Sequence, residues 1–252
     1  MTPLLMLALS VVMVGTSFLS GVFGMAGGLI LVGVLLALMP LPAAMALHAV
    51  TQISSNAWRA ALWWRHVRWQ AAWPYIAGSA AAMIGWSFTL YVPAKPVALL
   101  MLGLSPFVVR ALPAGLRADP TQLRQGVLYG SASMTLLLLT GVSGPLTDTF
   151  FLGGSMGRRE IVATKAACQV FGHAAKLAYF GALIDQPAGV DPLMVIVAVG
   201  SSMLGTTLAR RLLEALTEVQ YRLWANRLIT TVAGYYVIQG TVLLLAPLVR
   251  PG

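Results

Sequence analysis

The chain has 252 residues, 58% hydrophobic and 9% charged, with a formal net charge of +9 and a mean hydropathy of +0.83. A soluble domain carries about 25% charged residues, so this composition excludes a soluble globular protein. The basic residues cluster in short loops between apolar runs, which is the mark of cytoplasmic loops and calls for lipid headgroups rather than nucleic acid as the partner.

In chain order, the first apolar run covers 4–22. It lacks a basic leader and passes through Gly24-Met25-Ala26-Gly27-Gly28 into a second run at 27–39, so it reads as a retained membrane segment. Further apolar segments follow at 43–64, 71–91, 95–112, 125–141, 145–157, 161–181, 192–209 and 228–248. Crossing the hydrocarbon core takes about 20 helical residues. The runs at 27–39 and 145–157 are shorter, and each follows a glycine break, so each is expected to be a half-helix of a re-entrant hairpin. The one cysteine, Cys168, rules out an internal disulfide.

The chain repeats itself. At an offset of 117 residues Gly24 meets Gly141, Gly27 meets Gly144, Gln52 meets Gln169, Asn56 meets His173 and Arg59 meets Lys176. The helix ending near residue 64 runs into Arg65, His66 and Arg68, which places that end in the cytoplasm. Its counterpart carries Arg158 and Arg159 at its start and runs into Asp185 and Asp191, so equivalent helices point in opposite directions. The fold class expected is an all-α integral membrane protein of two inverted repeats, each with a glycine-broken re-entrant hairpin. Repeat 1 covers 1–115, a cytoplasmic linker 116–124 and repeat 2 125–252, with both termini outside.

Paired glycine breaks at matching positions point to the binding site of a secondary transporter. Half-helix N-termini offer unpaired amides and partial positive charge, which suit a small anion. Gly24, Gly27 and Gly28 in one half, and Gly141, Ser143 and Gly144 in the other, are therefore candidate substrate contacts. Pro145 suits a first helical turn. Gln52, Asn56 and Arg59 share one helix face, repeated by Gln169, His173 and Lys176. These are candidate ligands too, although Arg59 and Lys176 lie near helix ends, where snorkelling is an equal alternative.

Asp148, one turn past Pro145, is a candidate for proton coupling because a carboxylate inside a membrane is costly. Its other reading is as a stabiliser of a helix N-terminus. Lys165 reads as snorkelling to the cytoplasmic face, and His48 as a satisfied packing residue. Trp58, Trp63, Trp64, Trp69 and Trp73 crowd the basic loop as an interfacial belt. Three scattered histidines and one cysteine give no metal cluster, no cofactor is expected, and no carboxylate pair offers acid–base catalysis.

Ser20-Gly21-Val22-Phe23-Gly24-Met25-Ala26-Gly27-Gly28-Leu29-Ile30, the stretch Ala46 to Asn56, Gly141-Val142-Ser143-Gly144-Pro145 and Ala163-Thr164-Lys165-Ala166 together resemble the sulfite exporter TauE/SafE-type permeases. The resemblance spans essentially the whole chain. It implies a permease moving a sulfur oxyanion or organosulfonate across the cytoplasmic membrane. His48-Ala49-Val50-Thr51-Gln52 and the single Ala26 within the first glycine motif depart from the family pattern beside the expected site. An anion channel and a non-transporting accessory membrane protein are the rival readings, and the apolar exterior permits a homodimer.

Overall fold

The computed structural model describes residues 2–111, 119–152, 156–184 and 191–249. These form ten α-helices, with no strand among the described residues: α1 (Pro3–Phe23), α2 (Ala26–Leu38), α3 (Leu41–Leu62), α4 (Trp69–Thr89), α5 (Lys95–Ala111), α6 (Leu123–Thr140), α7 (Gly144–Leu152), α8 (Arg158–Ala178), α9 (Pro192–Ala215) and α10 (Glu218–Val249). The helices follow the apolar runs closely. The exceptions are α9 and α10, which extend beyond their runs through Arg210–Arg211 and from Glu218, because helical backbone continues past the apolar stretch. Part of the expected linker (112–118), the end of the 145–157 run (153–155) and Asp185 lie outside the described residues.

Two glycines make the breaks. Gly24, at φ 69° and ψ −110°, ends α1, and Gly141, at φ 87°, ends α6. A side chain at either place would meet the steric penalty of the left-handed region. Prolines start other helices where no amide is lost: Pro3 in α1, Pro42 in α3 and Pro192 in α9, the last with Asp191 accepting from the Leu193 amide at 2.9 Å.

α2 sits at the centre. Apolar on every side, it buries Leu29, Leu31, Val32, Leu35 and Leu36 against Met13, Met45, Leu99, Leu102 and Tyr236. Around it four helix pairs dominate: α1 with α9, α4 with α6, α3 with α8, and α5 with α10. The first two pairs run parallel, since Val14 and Gly21 face Gly205 and Ala209, while Pro74 and Trp86 face Gly126 and Thr135. The α3–α8 and α5–α10 pairs run antiparallel, with His48 facing Lys176 and Arg68 facing Glu160 at opposite ends of the first. Glycines set the closest crossings. A Cβ on Gly78 or Gly130 would strike the backbone of Val127 or Tyr75.

The outside is apolar. Leu7, Val11, Ile84, Phe88, Leu128, Ile196, Leu204, Ile238 and Val242 are all exposed. Pro3–Phe23, Pro192–Leu212 and Leu223–Ala246 are long and apolar enough to cross a membrane, whereas Ala26–Leu38 is apolar but short. α3 and α8 have comparable lengths of 22 and 21 residues, but their polar side chains face inward. The protein is therefore a helical membrane protein with an apolar exterior and a polar seam buried between α3 and α8.

One interior bond shows how the bundle is pinned. The Tyr236 hydroxyl donates to the Leu29 carbonyl at 2.8 Å, and its ring occupies the space left by Gly33. Tyr236→Phe should cost about 1 kcal/mol. In a thermal unfolding measurement on purified protein, this is expected to lower the midpoint by about 2–4 °C.

Candidate functional site

The two breaks meet. Val142 of the second break lies against Gly28, and Met25 of the first lies against Gly144. Every glycine in these two turns from Gly27 on is buried, and Gly24 is half-buried at the rim.

A chain of hydrogen bonds ties the breaks together. His48 Nε2 lies 3.1 Å from the Gly28 carbonyl oxygen. A carbonyl only accepts, so Nε2 carries the proton and donates, leaving Nδ1 with a lone pair. That lone pair accepts from Lys176 Nζ at 2.6 Å, and Nζ donates again to the Gly141 carbonyl at 3.0 Å. Both side chains are fully buried, and among the described residues Lys176 forms no ion pair. A neutral amine spends both its protons on these two bonds, and only the ammonium form keeps a third for a further acceptor.

His173 stands one turn before Lys176 on α8, its ring 5.6 Å from that of His48 and edge-on to it. It borders a small hollow also lined by Tyr75, Ser133, Ser143, Gln169 and Gly172. The buried His173 Nδ1 and Ser133 Oγ have no protein partner. The hollow has room for about one water molecule, too little for a four-atom oxyanion, so the site is closed in this conformation. Ser143 brings the second break to the edge of this hollow. Thr147 fastens the same turn by donating to the Ser143 carbonyl at 2.9 Å, and the Tyr75 hydroxyl lies 3.0 Å from its Oγ1.

The first half presents matching polar atoms. Ser17 Oγ, Ser20 Oγ, Gln52 Nε2 and Asn56 Oδ1 are buried without partners, and Asn56 Nδ2 donates to the Gln52 carbonyl at 2.8 Å. Gln52 Nε2 and Ser20 Oγ flank the first turn of α2 at Gly28 and Gly27, and Met25 gives that turn no side-chain cap. Buried polar atoms are almost always paired, so a cluster of unpaired ones at two helix starts awaits a polar guest or water.

The expected residues divide. Gly28, Gln52, Gly141, Ser143, Gln169, His173 and Lys176 converge around the junction, with Gly27, Gly144 and Asn56 close behind. Lys176 does not snorkel. Its amine points inward to Gly141. Arg59 stands half-buried in the last turn of α3, roughly 16 Å of helix rise from His48. Asp148 is not at the junction and pairs with Lys165, so Lys165 turns to a carboxylate rather than to the membrane surface. His48 is the central residue that the sequence reading left as packing. Its ring is indeed satisfied at both nitrogens, but through Lys176. Its spacing of four from Gln52 put it on the candidate face and was the available signal. Tyr75 and Ser133 come from α4 and α6, outside any motif, and no sequence signal marked them.

A buried amine and two imidazoles meet at the junction of the breaks, one turn of α8 from a polar hollow, with unpaired amides and hydroxyls nearby, all inside an apolar bundle. The chain belongs to the sulfite exporter TauE/SafE family, whose family model matches residues 7–236. No curated protein and no solved structure matches it. Membership bears out the resemblance carried by the glycine motifs and makes this chain one of a family of membrane transporters of sulfur compounds.

Proposed function

We propose that the protein is a multi-pass secondary transporter of the cytoplasmic membrane that carries a small sulfur oxyanion or organosulfonate through the junction of the two breaks. The observation that carries this reading is Lys176, a fully buried amine with no carboxylate counterion among the described residues, one helical turn from His173, which edges a polar hollow with Ser133. An oxyanion entering there meets the third ammonium proton, imidazole and hydroxyl donors, and the start of α7. On the other side Gln52 and Ser20 extend the same surface to the start of α2.

Two inverted repeats are the simplest architecture for this activity. In their support, exchanging α1–α5 for α6–α10 turns the α1–α9 pair into α6–α4 and leaves α3–α8 and α5–α10 unchanged, with pair directions preserved. The two half-helices α2 and α7, at 13 and 9 residues, are too short to cross alone, which supports the re-entrant reading. The closed hollow favours a carrier over an open channel. The Asp148–Lys165 pair fastens α7 to α8.

Purified protein in vesicles should take up radiolabelled sulfite, thiosulfate or sulfoacetate with saturation, and show little response to acetate or chloride. Uptake that rises linearly without saturation would indicate a channel. Indifference to every sulfur anion would overturn the substrate class.

A further inference from the structure

The bond between His48 and Lys176 has a particular place in the fold. His48 to Gly28 lies within the first half, and Lys176 to Gly141 lies within the second. Only the 2.6 Å contact from Lys176 Nζ to His48 Nδ1 crosses from one half to the other in this chain of bonds. It joins the N-terminal part of α3 to the C-terminal part of α8, an antiparallel pair that packs closely along its length.

The link has no twin at the other end of that helix pair. The 117-residue offset carries His48 to Lys165 and Lys176 back to Arg59, two cations that cannot share a proton in this way. At that end Lys165 turns instead to Asp148, and Arg68 bonds Glu160 at 2.7 Å. One end of the α3–α8 seam is therefore closed through a buried imidazole and amine, whereas at the other end Lys165 binds Asp148 of α7 and Glu160 binds Arg68, which lies beyond the end of α3.

Resting on the transporter reading above, we propose that the His48–Lys176 bond is a latch that holds the empty carrier shut, so that the protein works mainly as an anion-for-anion exchanger. When one half rocks against the other, α3 and α8 shift at this end, and the latch must break. In the empty protein Lys176 has nothing to replace the imidazole. With an oxyanion in the hollow beside His173, the amine gains a charge-assisted partner stronger than a neutral imidazole, and the latch opens at little cost. Loaded carriers then cross readily in both directions, and empty ones seldom do.

The test uses the full chain in vesicles loaded with radiolabelled thiosulfate or sulfite. Label is released either into buffer free of sulfur anions or into buffer holding the same anion unlabelled. Exchange should exceed net release by about tenfold or more, the factor expected for loss of one charge-assisted hydrogen bond. His48→Leu removes the acceptor, and the ratio should fall toward one because net release speeds up. His48→Gln can still donate to Gly28 and accept from Lys176, and should keep most of the ratio. His48→Asn, polar but too short to span, is read in place of His48→Leu if the latter does not insert. A wild-type ratio near one overturns the latch, as does a high ratio that survives in the leucine or asparagine variant. Absence of any thiosulfate or sulfite movement overturns the transporter reading itself, a separate outcome.

Discussion

Lys176→Met is expected to weaken saturable sulfur-anion uptake severely while leaving an inserted, folded protein. The methionine fills nearly the same space, so packing around the fully buried position survives. What is lost is the donor set. The Gly141 carbonyl and His48 Nδ1 lose their shared partner, at about 1–3 kcal/mol for each group left unsatisfied. An entering oxyanion loses its one ammonium contact, worth about 1.5–3 kcal/mol, so affinity should fall by roughly 10- to 150-fold. Anion-dependent thermal stabilisation of the purified variant measures the binding, and vesicle uptake measures the flux. Lys176→Arg is the informative companion. Its charge is retained, but a planar fork cannot reproduce the linear approach to His48 and Gly141, and only partial activity is expected. Full anion binding by the methionine variant would remove Lys176 from the site.

The second large effect concerns the backbone that shapes the junction. Gly27→Ala should destabilise the protein by about 1–3 kcal/mol or more, because a Cβ there would overlap the Thr16 carbonyl oxygen and lie 2.6 Å from the Ser20 amide nitrogen. Neither obstacle is a flexible side chain. α1 and α2 must move apart, and the first turn of α2 shifts away from Gln52. Loss of yield and a lowered unfolding midpoint in detergent are the expected readings. Gly85→Ala is the control, since nothing lies within 4 Å of a Cβ at that position on the exposed side of α4. It should leave stability unchanged or raise it by up to about 1 kcal/mol through helix propensity. Equal effects at the two positions would mean that the α1–α2 contact is not tight.

The helices, the breaks and the family were all legible in the sequence because each leaves a local mark. Apolar runs fix where a membrane helix lies. The breaks at Gly24 and Gly141 needed residues able to adopt positive φ, and glycine announces that directly. The candidate face of α3 followed from spacing alone, since residues three or four apart share a side of a helix. The 117-residue offset that sets Gln52 on Gln169 and Arg59 on Lys176 is likewise visible in the sequence, and it carries the expectation of two repeats.

What each polar residue touches was decided only by the tertiary packing. Arg59 and Lys176 align at the 117-residue offset, yet Lys176 is fully buried and Arg59 is half-buried. His48 read as filler until α8 brought an amine to its free nitrogen across 128 residues of sequence. Asp148 read as a proton-coupling carboxylate or a stabiliser of the α7 N-terminus, and only the fold paired it with Lys165. The physical reason is common to all three: burial and pairing depend on which helix lies opposite, and period and composition carry no record of that neighbour. The sequence determined the kind of protein and the residues available for a site, whereas the packing of α3 against α8 selected which of them meet.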